Sequence, residues 1–391
     1  MKTLLFHINS LLAGGIEKVL IELLHGLDPA KYNIKLSIAH DLGELELLKK
    51  QIPPYVSVTY ILDTPLLTNT KKKKVTNTIS FPEKLFEDLV LPVFKRRVHE
   101  IKLKELIRDA DVIIDFDMTL AGYTKLLRDK KTVAYCHFSF AHYWDGNKMK
   151  LNKLARRLSH YTKVVMLCDE MKNDAVASYP FLANNVVRIY NAVDTNRILT
   201  LANEPLGEYP TLLEDGYFLT VGRLAESQKD FTMLIKGYAA SIKKYNIREK
   251  LVIVGAGYSR APLETLANEL GVGEKVVFTG FQENPYKWML NCSLFLFCSK
   301  FEGLPTVLIE ALSLSCPVIA TDTPTGIKEI LMYGKAGILV RMGDDAALCE
   351  SIKTLAGNTV MQATFRDSAR EILQKFAIGY MVGEFERLVV E

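Results

Sequence analysis

Glu302 and Glu310 stand eight residues apart, on either side of the start of a helical-period segment over Thr306–Leu314. That spacing is about two helical turns. Gly303, between them, lets backbone approach a ligand with no Cβ in the way. Thr306 is placed to cap the first turn and leave N–H groups pointing at a ligand, and a helix start of this kind favours phosphate. A phosphate repels carboxylates, so Glu302 and Glu310 suit hydrogen bonds from sugar hydroxyls better. Upstream, Arg223 and Lys229 follow an apolar run six residues apart. Two cations there suit an anionic ligand. Nearer the N-terminus, Gly14 and Gly15 follow the first apolar run and His137 closes another.

These residues need a scaffold, and the apolar patterning supplies one. Apolar runs alternate with helical-period segments, the mark of an α/β chain with parallel sheets. Strands are predicted at Thr3–Ile8, Ile34–His40, Val56–Ile61, Val112–Phe116, Thr132–His137, Val164–Cys168 and Val186–Tyr190. A second set falls at Tyr217–Val221, Lys250–Val254, Val276–Thr279, Leu294–Cys298 and Pro317–Thr321. Helices are predicted at Ile16–His25, Met233–Tyr245 and Thr306–Leu314. Turn formers gather near 191–210, around Pro205 and Pro210. The expected fold is two doubly wound, Rossmann-like domains facing each other across a cleft, with ligands at the carboxyl ends of the strands. The expected boundaries are 1–194 and 195–375, with a final helix near 376–391 returning to the first domain.

Composition narrows the class. At 391 residues, 49% hydrophobic and 24% charged, the chain is an ordinary globular protein of two domains. Its six cysteines form no C-x-x-C pair and no zinc-type cluster with histidine, so they read as reduced thiols of a cytoplasmic protein. The start, Met1–Phe6, is interrupted by His7, Asn9 and Ser10, which favours a buried strand over a secretion signal. No apolar stretch is long enough to span a bilayer.

Net charge is +4, unevenly spread. Residues 1–200 carry 30 basic against 22 acidic side chains; residues 201–391 carry 19 against 23. Segment 71–104, with Lys71–Lys74, is +6, and segment 148–163, with Arg156 and Arg157, holds six basic residues and no acid. In the latter, Leu151, Leu154, Leu158 and Tyr161 fall at helical spacing. Either these are solvated outer faces, or they meet anionic headgroups at a membrane. Nucleic acid is not indicated, since no basic–aromatic interleaving and no recognisable motif occurs.

The stretch Glu302-Gly303-Leu304-Pro305-Thr306 through Glu310 resembles the E-x7-E element of the retaining glycosyltransferases of family 4, which have the GT-B fold. The resemblance continues through Val221-Gly222-Arg223-Leu224 with Lys229, Leu251–Gly257, Val277–Gly280, Pro317–Asp322 and Glu329–Leu331. In the first half it rests on Gly14–Glu17, Cys136-His137 and Asn191–Asp194. It implies an N-terminal acceptor domain and a C-terminal domain binding a nucleotide diphosphate sugar, most readily a UDP-sugar. It implies retaining, metal-independent transfer of a hexose or N-acetylhexosamine to a glycan or lipid-linked acceptor, as in lipopolysaccharide, O-antigen or capsule assembly. Glu310 would hold the ribose, and Glu302 and His137 the donor sugar as catalytic groups. Arg223, Lys229, Gly14, Gly15, Gly303, Leu304 and Thr306 would hold the diphosphate. The reaction would run by front-face attack at the inner face of the plasma membrane.

Plainer readings stay open for each motif. Gly255-Ala256-Gly257 mimics a dinucleotide fingerprint, with Arg260 where the third glycine belongs. Asp115-Phe116-Asp117 mimics a metal-binding D-x-D but ends a buried strand. His137 can be a core histidine, Gly14–Gly15 a tight turn, Arg223 and Lys229 surface ion pairs, and Glu302 a helix cap. Two other functions share the fold, a UDP-sugar 2-epimerase and a non-catalytic partner subunit. Asp230 and Ser315 stand where relatives carry glycine, and Ser315 must either avoid positive φ or accept strain.

Overall fold

The computed structural model describes residues 1–12, 14–76, 78–140, 146–207, 212 and 216–390. They form two compact units, one of residues Met1–Ile189 with Met381–Glu391 and one of Tyr190–Tyr380.

The first unit is built on β1 (Lys2–Ile8), β2 (Tyr32–His40), β3 (Ser57–Leu62), β4 (Val112–Asp115), β5 (Lys131–Cys136), β6 (Lys163–Met166) and β7 (Val186–Arg188). They make one parallel sheet in the order β3-β2-β1-β4-β5-β6-β7. Leu4, Leu5 and Phe6 of central β1 are fully buried, as a strand covered by helices on both faces must be. The helix Ile378–Val390 completes this unit: Phe385 stacks on Phe6 at 5.7 Å between ring centroids, and Lys2 Nζ donates to the carbonyl of Val389 at 3.1 Å.

The second unit holds β8 (Tyr217–Val221), β9 (Lys250–Val254), β10 (Val276–Gly280), β11 (Leu294–Phe297), β12 (Val318–Asp322) and β13 (Ile338–Arg341), parallel in the order β10-β9-β8-β11-β12-β13. Both sheets reverse strand order beside their first strand, at β1/β4 and β8/β11. There the crossovers leave in opposite directions and open a crevice at the carboxyl ends.

Segment 71–104 lies across three helices, Pro65–Val75, Phe81–Leu89 and Leu91–Arg108. A small satellite core of Ile61, Leu62, Leu67 and Leu91 holds them to the sheet. The basic stretch 148–163 is helical over Lys148–Leu158, with Leu151, Leu154 and Leu158 buried as its spacing predicts.

Candidate functional site

The second unit brings the predicted charged residues together at the β8/β11 switch point. The loop after β8 returns along the loop after β11: Asp230 N donates to Cys298 O at 3.0 Å and Lys300 N to Gln228 O at 2.8 Å. This short pairing aims Lys229 at Glu302, and Nζ lies 2.5 Å from Oε1 with both side chains largely buried. Lys229 Nζ also sits 4.3 Å above the Phe297 ring. Ser299 Oγ donates to the same carboxylate oxygen at 2.6 Å, and Gln228 Nε2 to the other at 3.3 Å. Arg223, exposed, donates to Gln228 Oε1 at 3.2 Å. Arg223, Gln228, Glu302 and Lys229 thus form one chain.

Spacing identified two members of that chain's support only after the fact. Gln228 links Arg223 to Glu302, and Ser299, three residues before Glu302, fixes its carboxylate. Thr325 donates through its hydroxyl to the carbonyl of Glu302 from a left-handed backbone, φ 82°. Gly326 follows because a Cβ there would stand 2.6 Å from the carbonyl oxygen of Gly303. The signal for Ser299 was its position; for Thr325, 23 residues away, there was none.

Glu310 is buried within the helix Thr306–Ser313. The expectation that Thr306 caps this helix is corrected: Pro305 holds the cap position with no side-chain hydrogen bond, and Thr306 is the first helical residue. Proline lacks the N–H that would go unpaired at a helix start, so the turn's remaining donors stay available. Gly303 and Leu304 are buried beneath it. Asp230 serves as cap of the helix Phe231–Tyr245, accepting from Met233 N at 3.2 Å, so its side chain replaces what glycine offers by conformation. Ser315 does take positive φ, 61°, and accepts the strain.

The Gly255–Gly257 loop has a different use from pyrophosphate binding. A Cβ on Gly255 would lie 1.9 Å from the carbonyl oxygen of Gly222, and one on Gly257 2.2 Å from that of Leu224. Both glycines let the loop after β9 run against the loop after β8, where Leu224 N donates to Ala256 O at 3.0 Å. They place Arg223.

In the first unit, Gly14 caps the helix Gly15–Gly26 in extended conformation, Gly15 is exposed, and the Glu17 side chain folds back over this helix start. A Cβ on Gly14 would lie 2.4 Å from a carboxylate oxygen of Glu17. The loop before it is tied down at two points, Asn9 N to Asp117 at 2.8 Å and Leu11 N to Glu46 at 3.0 Å. His137, directly after β5, is buried and shares a hydrogen bond of 2.7 Å with Phe116 O. Burial lowers its pKa to about 4, so the imidazole is neutral.

Asp115 Oδ2 accepts from Tyr161 Oη at 2.5 Å and from Leu120 N at 3.0 Å. Burial, then the nearby Asp117, push its pKa up to about 8. The two aspartates are occupied as strand-end and turn anchors. Among the described residues no group of three His, Cys, Asp or Glu is arranged to hold a metal ion, none of the six cysteines is in a disulfide, and no helix is long and apolar enough to cross a membrane.

Residues 13–197 match the family model described as Glycosyltransferase Family 4, and residues 215–358 the model described as Glycosyl transferases group 1. The N-acetylgalactosamine-N,N'-diacetylbacillosaminyl-diphospho-undecaprenol 4-alpha-N-acetylgalactosaminyltransferase of Campylobacter jejuni is 27% identical over 98% of this chain and 100% of its own length. An uncharacterized glycosyltransferase of Methanocaldococcus jannaschii is 31% identical over 67% of this chain and 71% of its own. Among solved structures, Anabaena HepE in complex with UDP superposes with a TM-score of 0.77 at 18% identity, covering 100% of both chains. The lipopolysaccharide outer core galactosyltransferase WaaB does so at 0.72 and 18%, covering 100% of this chain and 99% of its own. These matches favour sugar transfer over the epimerase and partner-subunit readings. The chain belongs to the family 4, group 1 glycosyltransferases and has their GT-B fold.

Proposed function

We propose that this glycosyltransferase moves a hexose or N-acetylhexosamine from a UDP-sugar to a lipid-linked glycan, with retention and without a metal, in lipopolysaccharide, O-antigen or capsule assembly. The observation that carries the donor side is the Arg223–Gln228–Glu302–Lys229 chain at the carboxyl edge of β8 and β11. Arg223 and Lys229 take the diphosphate, with the amides at Gly303–Thr306 and at Gly14–Gly15 as further donors. Glu310 takes the ribose hydroxyls. Glu302, oriented by Ser299 and Gln228, takes a hydroxyl of the donor sugar. His137, held neutral with its Nε2–H on the Phe116 carbonyl, accepts through Nδ1 from a sugar hydroxyl near the anomeric carbon. As the glycosidic bond breaks, charge grows on the leaving phosphate, and fixed cations stabilise it without reorganising. The leaving phosphate then takes the acceptor's proton. The full-length Campylobacter relative supports this acceptor class and geometry, since its name prints a diphospho-undecaprenol acceptor and an alpha linkage.

With that acceptor, the enzyme works at the cytoplasmic face of the plasma membrane, and the first unit's surface supports this reading. Phe81, Leu85, Leu89, Val93 and Phe94 are exposed on the two helices that also carry Lys84, Arg96 and Arg97. Apolar side chains among lysines and arginines suit a headgroup layer, where each basic residue adds about 1 kcal/mol.

Thermal unfolding against UDP-, GDP- and ADP-sugars tests the donor reading. A ligand at 100 times its Kd adds about 2.7 kcal/mol of stability. The expected result is a shift with UDP-sugars alone, lost in Glu310→Ala and unchanged by EDTA. No shift with any nucleotide sugar overturns it.

A further inference from the structure

The two basic segments, far apart in sequence, converge within the first unit on one cavity of about 260 Å³. Lys95 and Arg96 reach it from the helix Leu91–Arg108, and Arg157 from the helix Lys148–Leu158. His40, His99 and Tyr123 supply the rest of its polar lining, and no carboxylate is among the described residues that line it. The cavity opens at the carboxyl edge of the sheet: His40 closes β2, Leu62 closes β3, and Tyr123 lies in the connection after β4. In a doubly wound sheet that is the ligand edge.

Its charges are incompletely balanced. Lys95 bonds Glu87 at 2.5 Å and Arg96 lies 3.4 Å from Glu100, but both carboxylates stand behind the wall. Arg157 forms no ion pair among the described residues. Nε2 of His99, buried in the wall, has no hydrogen-bond partner among them either. The cations crowd one another: burial, then Lys71 and Lys95, lower the pKa of His40 to about 4. An anion with several oxygens relieves this repulsion and gives the arginine forks planar acceptors. The volume is below that of pockets that enclose a whole drug-sized ligand, and suits a compact head. Pro92, at the rim, leads to exposed Val93 and Phe94, an apolar exit for a chain attached to that head.

We propose that this cavity binds the phosphoryl groups of the lipid-linked acceptor, a diphosphate whose hydrocarbon chain leaves past Val93 and Phe94. The proposal rests on the acceptor reading above and gives that acceptor an anchoring point. Lys95, Arg96 and Arg157 are positioning residues: they hold the acceptor and touch no reacting atom.

The test is calorimetric titration of the full chain, kept saturated with UDP so that the donor site is filled, with geranyl diphosphate as probe. Saturable binding is expected, weakened about tenfold in Arg157→Gln and in Arg96→Gln, the loss of one charge-assisted contact, with UDP affinity unchanged in both. Absence of saturable binding, or equal affinity in both variants, overturns the proposal. Inorganic pyrophosphate that binds as tightly as the geranyl ester overturns the lipid-linked source and leaves a free anion. Binding only to phosphatidylglycerol vesicles, equal in the variants, overturns it in favour of a flat membrane contact. A wild-type chain that binds geranyl diphosphate but not UDP supports the cavity and sinks the donor reading instead.

Discussion

The two sheets share one strand order around their switch points, yet their carboxyl edges are held by opposite means. At the second, a buried lysine–glutamate pair sets the geometry, braced by Ser299 and Gln228. At the first, the buried polar groups are kept uncharged: His7 and His137 lie well below the ordinary histidine range, and Asp115 lies well above the carboxylate range. Cations gather toward the periphery of this edge, around the Lys95–Arg157 cavity. Under the proposed function the second edge meets the same diphosphate in every turnover and can carry fixed charge. An edge that accommodates a neutral sugar gains more from neutral donors and acceptors that do not pull solvent in.

Removing one half of the charged pair should break this contrast most strongly. Lys229→Met is expected to lower the rate of sugar transfer by about 10²–10³, the scale for losing a donor to the transition-state charge. It should also cost about 3 kcal/mol, because Glu302 is left buried without its partner. The double variant Lys229→Met/Glu302→Gln should regain most of the stability and none of the activity in calorimetry and steady-state assays. A single variant as stable as the wild type would show that charge does not hold the second edge.

The first edge should reveal itself through pH. Between about pH 6.5 and 4 the unfolded chain binds a proton at His137 that the fold refuses, so stability is full above this window and lost as pH falls through it. Asp115 acts oppositely: the fold keeps its proton up to about pH 8, so its contribution falls as pH rises from about 4 to 8. Each group contributes a slope of at most about 1.4 kcal/mol per pH unit. His7, His40 and His99 are lowered in the same direction as His137, and together the histidines outweigh the opposite slope of Asp115, so hydrogen exchange read by peptide should show residues 1–189 loosening below pH 6 before residues 217–380 do. Equal loosening in both would erase the distinction.

Smaller changes sharpen it. Ser315→Gly should stabilise the second unit by about 1 kcal/mol, since glycine accepts φ 61° without the serine's penalty, visible as a raised unfolding midpoint. Asp115→Asn should change stability at pH 7 by less than about 1 kcal/mol, because the wild-type group is already mostly protonated there, and it should flatten the alkaline limb. A large loss at pH 7 would mean that a charged aspartate is required.

How far the sequence carries depends on how local each arrangement is. Strands Tyr217–Val221 and Lys250–Val254 have the predicted bounds because their apolar runs are fully buried. Strand Ile338–Arg341 lies outside the predicted set although Ile338, Leu339 and Val340 are apolar: at four residues on a sheet edge the run is too short for periodicity to separate strand from loop. Glu302, Gly303 and Glu310 could be read because strand, turn and helix set them within a dozen residues. The resemblance marks Lys229 and Glu302 as separate site residues, but their pairing across 73 residues left no trace in the sequence. Tyr161 on Asp115, 46 residues apart, and the cavity shared by Lys95 and Arg157 left no local trace, since only sheet order brings them together.

The terminal helix has a consequence for the order in which the molecule is made. Phe6 of the central strand waits for Phe385, so the first unit cannot finish its core until residue 385 has left the ribosome. Residues 190–380 are complete before then, and their two ends are tied by the Val193–Ala377 bridge and by Val193 N on Phe376 O at 3.0 Å. The part made first is therefore the part closed last. During synthesis the exposed central strand, rather than residues 190–380, is the segment most in need of a chaperone's cover.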